Sequence, residues 1–147
     1  MSQEPGTEAL ERQIMGMLLA GAHPTLVTLR QQYAVARVVH RDHSGVGVFT
    51  HFDVPTEAPR TEPANFSFGD LQFQLEGTEN PGSGVLFVRN GCLKTLELWN
   101  WSDDWPEVPV IRSVTYLAAT HTDPRHVSLT PSATRDEAWL EEKLSGG

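Results

Sequence analysis

The sequence predicts an α+β fold in which two N-terminal helices pack on a five- or six-stranded, mostly antiparallel sheet. Apolar residues recur at helical spacing up to about residue 33 and alternate with polar residues in several later stretches. An Asn-Gly pair at residues 90–91 separates two β-prone segments, which is the pattern of a β-hairpin. The links between the predicted strands are too short for helical crossovers, so the sheet is expected to be antiparallel.

Both helices are predicted near the start of the chain. The first begins after Thr7, which is expected to be its N-cap. Its apolar residues fall on one face: Leu10, Ile14, Met17 and Leu18. Gly21 ends this helix, and Pro24 starts the second, because proline suits the first helical position. Leu26 and Leu29 face inward from the second helix, so each helix has an apolar face that must cover a sheet.

The strands are predicted from alternation. Residues 45–54 place Val46 and every second residue after it on one face, and Gly45 and Gly47 on the other. Glycines inside a strand indicate a bulge or the close approach of another backbone or group. Residues 70–76 also alternate, with three apolar residues inward and four polar residues, including Asp70, outward.

The hairpin at residues 90–91 is the centre of the predicted sheet. Asn-Gly supplies the positive φ angles of a type I′ turn. With a two-residue turn, Val88 faces Leu93 and Val85 faces Leu96. A bulged three-residue loop would shift every pair by one residue and change which side chains face each other.

The chain is divided into a single α+β domain at residues 1–119 and a C-terminal extension at residues 120–147. The division is placed where the apolar period is lost, and the chain is expected to leave the compact body there. Thr134 and Glu137 form a capping box, which predicts a short helix near residues 135–144.

Charge and composition limit the classes of function. The net charge of −8 at pH 7 disfavours nucleic acid and anionic membranes and favours a basic protein partner or a cation. The single cysteine, Cys92, cannot form an internal disulfide, and no signal peptide or membrane span is predicted. These features predict a cytoplasmic protein and leave its oligomeric state open.

A cluster of tryptophans and acids after the hairpin is the leading candidate site. It is expected to be an aromatic anchor with an acidic rim that recognises a basic surface. Its residues are Trp99, Trp101, Asp103, Asp104, Trp105 and Glu107. The alternative is that Trp99 or Trp101 packs in the core and the acids form a solvated loop.

A second candidate is a metal site. His51 and Asp53 lie on one strand, and His40 and His43 lie across the preceding turn, at spacings that could hold zinc. Histidines in such positions are more often simply hydrogen-bonded. No phosphate loop or dinucleotide-binding motif is present, and no cofactor is predicted. Cys92 is expected to be a small apolar residue rather than a nucleophile.

Several motifs together resemble a family of small, uncharacterised bacterial proteins. They are GVGVFTHF at residues 45–52, the proline-containing residues 55–60, GVLFVRNGCL at residues 84–93, and Leu96-Glu97 followed by Trp105-Pro106. The resemblance covers about residues 10–116. It implies a bacterial cytosolic protein with an α+β domain and assigns no catalytic residue.

The sequence therefore favours a non-catalytic binding protein that recognises a protein partner, of the immunity or antitoxin kind. The alternative is a small metal-dependent hydrolase that uses His51 and Asp53 with His40 or His43. A third hypothesis is a small-ligand carrier whose pocket opens beside Gly45 and Gly47.

Overall fold

The structure, a computed structural model, describes residues 4–101, 104–123 and 125–146. These residues form three helices: α1 (Glu4–Leu18), α2 (Pro24–Val35) and α3 (Glu137–Leu144). They also form eight strands: β1 (Arg37–His43), β2 (Gly47–Asp53), β3 (Phe66–Phe68), β4 (Leu71–Leu75), β5 (Gly82–Arg89), β6 (Cys92–Asn100), β7 (Ile111–Asp123) and β8 (His126–Ser132). The predicted α+β class is confirmed, but five or six strands is too low a count.

All eight strands belong to one sheet. Seven lie in the order β1-β2-β6-β5-β4-β7-β8, and β3 pairs with β5 beside this path. Every pairing is antiparallel, as predicted. Strands β1 and β8 lie at the two ends of this path, and the β5-β6 hairpin lies near its middle.

The core lies between the three helices and one face of the sheet, which we call the inner face. Leu71, Phe73 and Leu75 of β4 are buried there, as their alternation predicts. Apolar residues of the helices and of the turn after α1 enter the same core, and they are Leu10, Ile14, Met15, Leu18, Leu19, Leu26, Leu29, Leu140 and Leu144. None of the described helices is long and apolar enough to cross a membrane.

The first helix begins earlier than predicted. It starts at Glu4, so Thr7 lies inside the helix with its side chain buried and is not the N-cap. The second helix begins at Pro24, as expected from the fit of proline to a first helical turn. His23 caps it, because its Nδ1 atom accepts a hydrogen bond of 3.1 Å from the Thr25 amide.

The hairpin has the predicted turn. Its register follows neither the two-residue alternative nor the bulged alternative along its whole length. Residues 90–91 form a two-residue loop with φ angles of 55° and 77°, and Val88 lies opposite Leu93. A bulge between Phe87 and Val88 then shifts the pairing, so Val85 lies opposite Glu97 rather than Leu96. The bulge places Leu96 and Leu98 on the inner face.

Gly47 is required by the close packing of β2 on β6. A Cβ atom at this position would lie 2.0 Å from the carbonyl oxygen of Leu98, so no other residue fits without moving the strands. The expectation that a glycine in this strand marks the close approach of another backbone is therefore confirmed.

The chain beyond residue 119 does not leave the compact body. Strand β7 continues to Asp123 and pairs with β8, which lies in the same sheet. Helix α3 falls within the range predicted for a short helix, and it places Leu140 and Leu144 in the core. The loss of apolar period reflects an edge strand with many hydroxyl side chains rather than a departure from the fold.

A buried ion pair fastens this C-terminal segment to the sheet. Asp70 was predicted to point outward, but its side chain is fully buried. Arg135 donates to both of its carboxylate oxygens, over 2.7 and 2.9 Å. The alternation fails at Asp70 because a charge from a distant part of the chain compensates its burial.

Candidate functional site

The side of the sheet that faces away from the helices carries several aromatic side chains. We call it the outer face and define it by the residues of β2, β5 and β6 that alternate with the core residues: Phe49, His51, Ser83, Val85, Phe87, Thr95, Glu97 and Trp99. Most of these side chains are partly exposed, because all three described helices pack on the inner face. An uncovered sheet face with aromatic residues is a candidate interaction surface.

Glu97 lies at the centre of the outer face. In the sheet register it stands between Phe49 of β2 and Val85 of β5. Its side chain is partly buried, and no ion pair to it is found within the described part of the chain. A carboxylate between apolar neighbours is less screened by water than one on an open surface, so a cation placed there would be held more strongly.

Two of the predicted tryptophans follow Glu97 in the chain and pack against each other. Trp99 lies two residues along β6 on the same face, and its ring meets that of Trp101 edge to face with centroids 5.9 Å apart. Trp101 is 56% exposed, a large fraction for an indole side chain. The pair forms a preorganised aromatic group at one end of the outer face.

The third tryptophan has a different position. Trp105 packs against the core, with its ring edge to face with Phe73 at 6.2 Å. Asp104 and Glu107 are exposed on the loop after β6, and Asp103 lies outside the described residues. The structure therefore brings Trp99 and Trp101 together on the outer face and places Trp105 in a packing role.

The histidines form a hydrogen-bonded group beside the outer face. Asp42 accepts from His40 at 2.6 Å and from His51 at 3.0 Å, through different oxygens. The other nitrogen of His51 lies 3.0 Å from the Thr95 hydroxyl oxygen. The hydrogen bond from His51 is the main reason that the pKa of Asp42 lies below its usual value; desolvation opposes this effect, and His40 adds to it.

This group is not the predicted metal site. Asp53 does not join it and instead pairs with Arg37 at 3.1 Å, while His43 lies opposite Val48 further along β1. Within the described ranges, no three His, Cys, Asp or Glu side chains are placed to hold a metal ion.

Cys92 lies beside the hairpin turn and is partly buried. A guanidinium nitrogen of Arg60 contacts its Sγ atom.

A scan against protein-family models and searches of curated proteins and solved structures found no match to this chain. The resemblance to a bacterial family therefore stays a prediction.

The sequence pattern did not reveal the surroundings of Glu97. The residue belongs to a run in which apolar and polar side chains alternate, and this indicated only that it points away from the core. Its apolar surroundings come from Phe49 and Val85, which lie on separate strands. Strand pairing had to be known before Glu97 could be recognised as the centre of a surface.

Proposed function

We propose that this chain is a non-catalytic binding protein that recognises a basic protein partner through its outer face. The observation that carries the proposal is the position of Glu97, a partly buried carboxylate between Phe49 and Val85 with Trp99 two residues away. An arginine or lysine of the partner would pair with Glu97, and the aromatic side chains would exclude water from that pair.

The tryptophans supply the affinity in this proposal. Trp101 exposes more than half of its surface in the free protein, and burying an indole at an interface is among the largest single contributions to binding. Its edge-to-face contact with Trp99 limits the motion of both rings, so less conformational entropy is lost on binding.

The net charge of −8 supplies the long-range attraction. An acidic protein attracts a basic partner and accelerates their association, an effect that salt weakens. Immunity and antitoxin proteins that neutralise basic toxin domains work by this chemistry, and we assign the chain to that class of function. Asp104 and Glu107 would add to the attraction at the rim.

The experiment is a comparison of variants in partner capture from the native host, followed by measurement of affinity with the purified partner. We expect Glu97→Lys and Trp101→Ala each to weaken binding of a basic protein by at least about tenfold, the loss typical of a central interface residue. Glu142→Lys is the matched control, because it makes the same charge change at an exposed position of α3.

The association rate provides a second test. We expect Asp104→Lys together with Glu107→Lys to slow association, with a smaller effect at high salt, since rim charges act mainly on the encounter. Partners that bind the Glu97 and Trp101 variants as well as they bind the wild type would contradict the proposal. So would a dominant partner with acidic rather than basic net charge.

A further inference from the structure

A concave region lies on the opposite side of the sheet from the outer face. It is a cavity of about 590 Å³ between α1, the end of α2 and the inner side of β1 and β2. This volume falls within the range of sites that hold small molecules. Because the cavity lies away from the outer face, a ligand bound in it would not compete directly with the proposed protein partner.

One wall of the cavity is a buried ion pair. Glu11 of α1 is 3% exposed, and Arg41 of β1 donates to both of its carboxylate oxygens over 2.8 Å. The hydroxyl of Thr50 donates to the same carboxylate. Separating such a pair would leave an uncompensated buried charge, so this wall is preformed and Arg41 is not free to bind an anion.

The rim of the cavity carries a weaker pair. Glu8 and Arg12 are one helical turn apart on α1, 2.7 Å from each other, with side chains 51% and 72% exposed. Exposed pairs of this kind contribute little to stability, so a ligand can replace either partner. Glu8 lies three residues before Glu11, which places both carboxylates on the same side of α1.

Two aromatic rings form the apolar part of the cavity. Tyr33 meets Phe52 edge to face with centroids 6.2 Å apart. Burial is the main cause that raises the pKa of the Tyr33 phenol, and the charge of Glu11 raises it further. The charge of Glu8 also raises the pKa of Tyr33, whereas the charges of Arg12 and Arg41 lower it.

We propose that this cavity binds a small organic cation, an amine whose apolar part packs on Tyr33 and Phe52 and whose ammonium group replaces Arg12 on Glu8. Once Arg12 has turned away, the Glu8 carboxylate and the two aromatic faces attract a cation at the same point. The net charge of −8 raises the local concentration of cations around the whole molecule. Arg12 is largely exposed and can turn into solvent when the amine enters.

The test uses three probes of similar size and different charge on the full chain: phenethylammonium, phenethyl alcohol and phenylacetate. Binding is measured at pH 7 by calorimetry and by NMR. We expect the ammonium compound to bind at least about tenfold more tightly than the other two, the difference expected for one charge-assisted hydrogen bond. Glu8→Gln should remove this preference, whereas Glu142→Gln, at an exposed position of α3, should not.

A second readout locates the probe. The chain has two tyrosines, so Tyr116→Phe leaves Tyr33 as the one phenol that titrates. We expect benzyltrimethylammonium, which stays charged at high pH, to lower the titration midpoint of Tyr33 in this variant when it also carries Arg12→Gln, because the added cation then displaces no arginine charge. This shift requires a cation beside the ring and would not arise from binding elsewhere on the surface.

Three results would overturn the proposal. They are tighter binding of phenylacetate with loss in Arg12→Gln, equal or undetectable binding of all three probes, and an unchanged Tyr33 midpoint with saturating benzyltrimethylammonium. Binding of Nα-acetyl-lysine amide without phenethylammonium would assign the cavity to a side chain of a protein partner, and this too would overturn the small-molecule proposal.

Discussion

Arg135 has several structural roles at once. Besides its ion pair with Asp70, its guanidinium donates to three carbonyl oxygens at the end of α1, those of Met17, Leu18 and Ala20. It also lies over the rings of Phe68 and Tyr116, at 6.0 and 5.1 Å. One side chain therefore satisfies carbonyl oxygens at the end of a helix and compensates the charge of a buried carboxylate.

We predict that Arg135→Met destabilises the protein by about 3–5 kcal/mol, because it leaves the Asp70 carboxylate buried without a partner. Urea unfolding at pH 7 measures this change. Arg112→Met, at an exposed position of β7, is the matched control and should change the free energy of unfolding by less than about 0.5 kcal/mol. Equal stability of the two variants would show that the ion pair is dispensable.

The burial of single charged residues with distant partners could not be predicted from the sequence. The alternation of residues 70–76 predicted an outward Asp70, since it takes no account of a partner 65 residues further along the chain. Glu11 has the same explanation, because its partners Arg41 and Thr50 come from two strands. Buried charges depend on tertiary contacts that no local period encodes.

At the scale of elements, the tip of the β5-β6 hairpin is held by α2. The buried Gln32 side chain donates to the carbonyl oxygens of Pro59 and Gly91, over 2.7 Å each, and accepts from the Leu93 amide at 2.9 Å. The Gly91 amide in turn donates to the Ala64 carbonyl oxygen. The turn that Asn-Gly favours locally is thereby fixed against a helix and a loop.

We predict that Gly91→Ala destabilises the protein by about 1–2 kcal/mol, the cost of a left-handed conformation for a residue with a side chain. The residue has a φ of 77°, and a Cβ atom would lie 2.9 Å from that of Arg60. Gly16→Ala is the control on α1, where nothing lies within 4 Å, and it should stabilise by about 0.5–1 kcal/mol. Thermal unfolding of both variants would reveal any departure from these opposite signs.

Elements with strong local signals were predicted well. Strand β4 alternates without interruption, and Pro24 fixes the start of α2. Strands β7 and β8 were not recognised in full, because hydroxyl and charged residues near an edge interrupt the apolar alternation. The bulge in the central hairpin was also missed, since its position depends on packing against the inner face.

The whole molecule has two unlike sides. The inner face is covered by helices and contains the cavity beside Glu11, whereas the outer face is bare of the described helices and contains Glu97, Trp99 and Trp101. Of the predicted binding residues, Trp99 and Trp101 lie on this bare side, and Trp105 could not be distinguished from them by composition. The sorting depends on which face each strand turns outward, and this is a property of the complete sheet.

We predict that a chain ending at residue 119 does not fold. It would lack β8, Arg135 and the core residues Leu140 and Leu144, and Asp70 would lose its partner. NMR dispersion and a cooperative urea transition are the measurements, and a chain ending at residue 145 is the control. A cooperative transition in the shorter chain would show that the C-terminal segment is an appendage.

The contacts of Arg135 also bear on the order of events during synthesis. Its partners Met17 and Asp70 precede it by 118 and 65 residues, so both leave the ribosome long before it does. Until Arg135 is available, burial of the Asp70 carboxylate is uncompensated and therefore unfavourable. Contacts across such separations slow folding. The nascent chain is therefore expected to remain incompletely folded until Arg135 is available, in a form that a chaperone can bind.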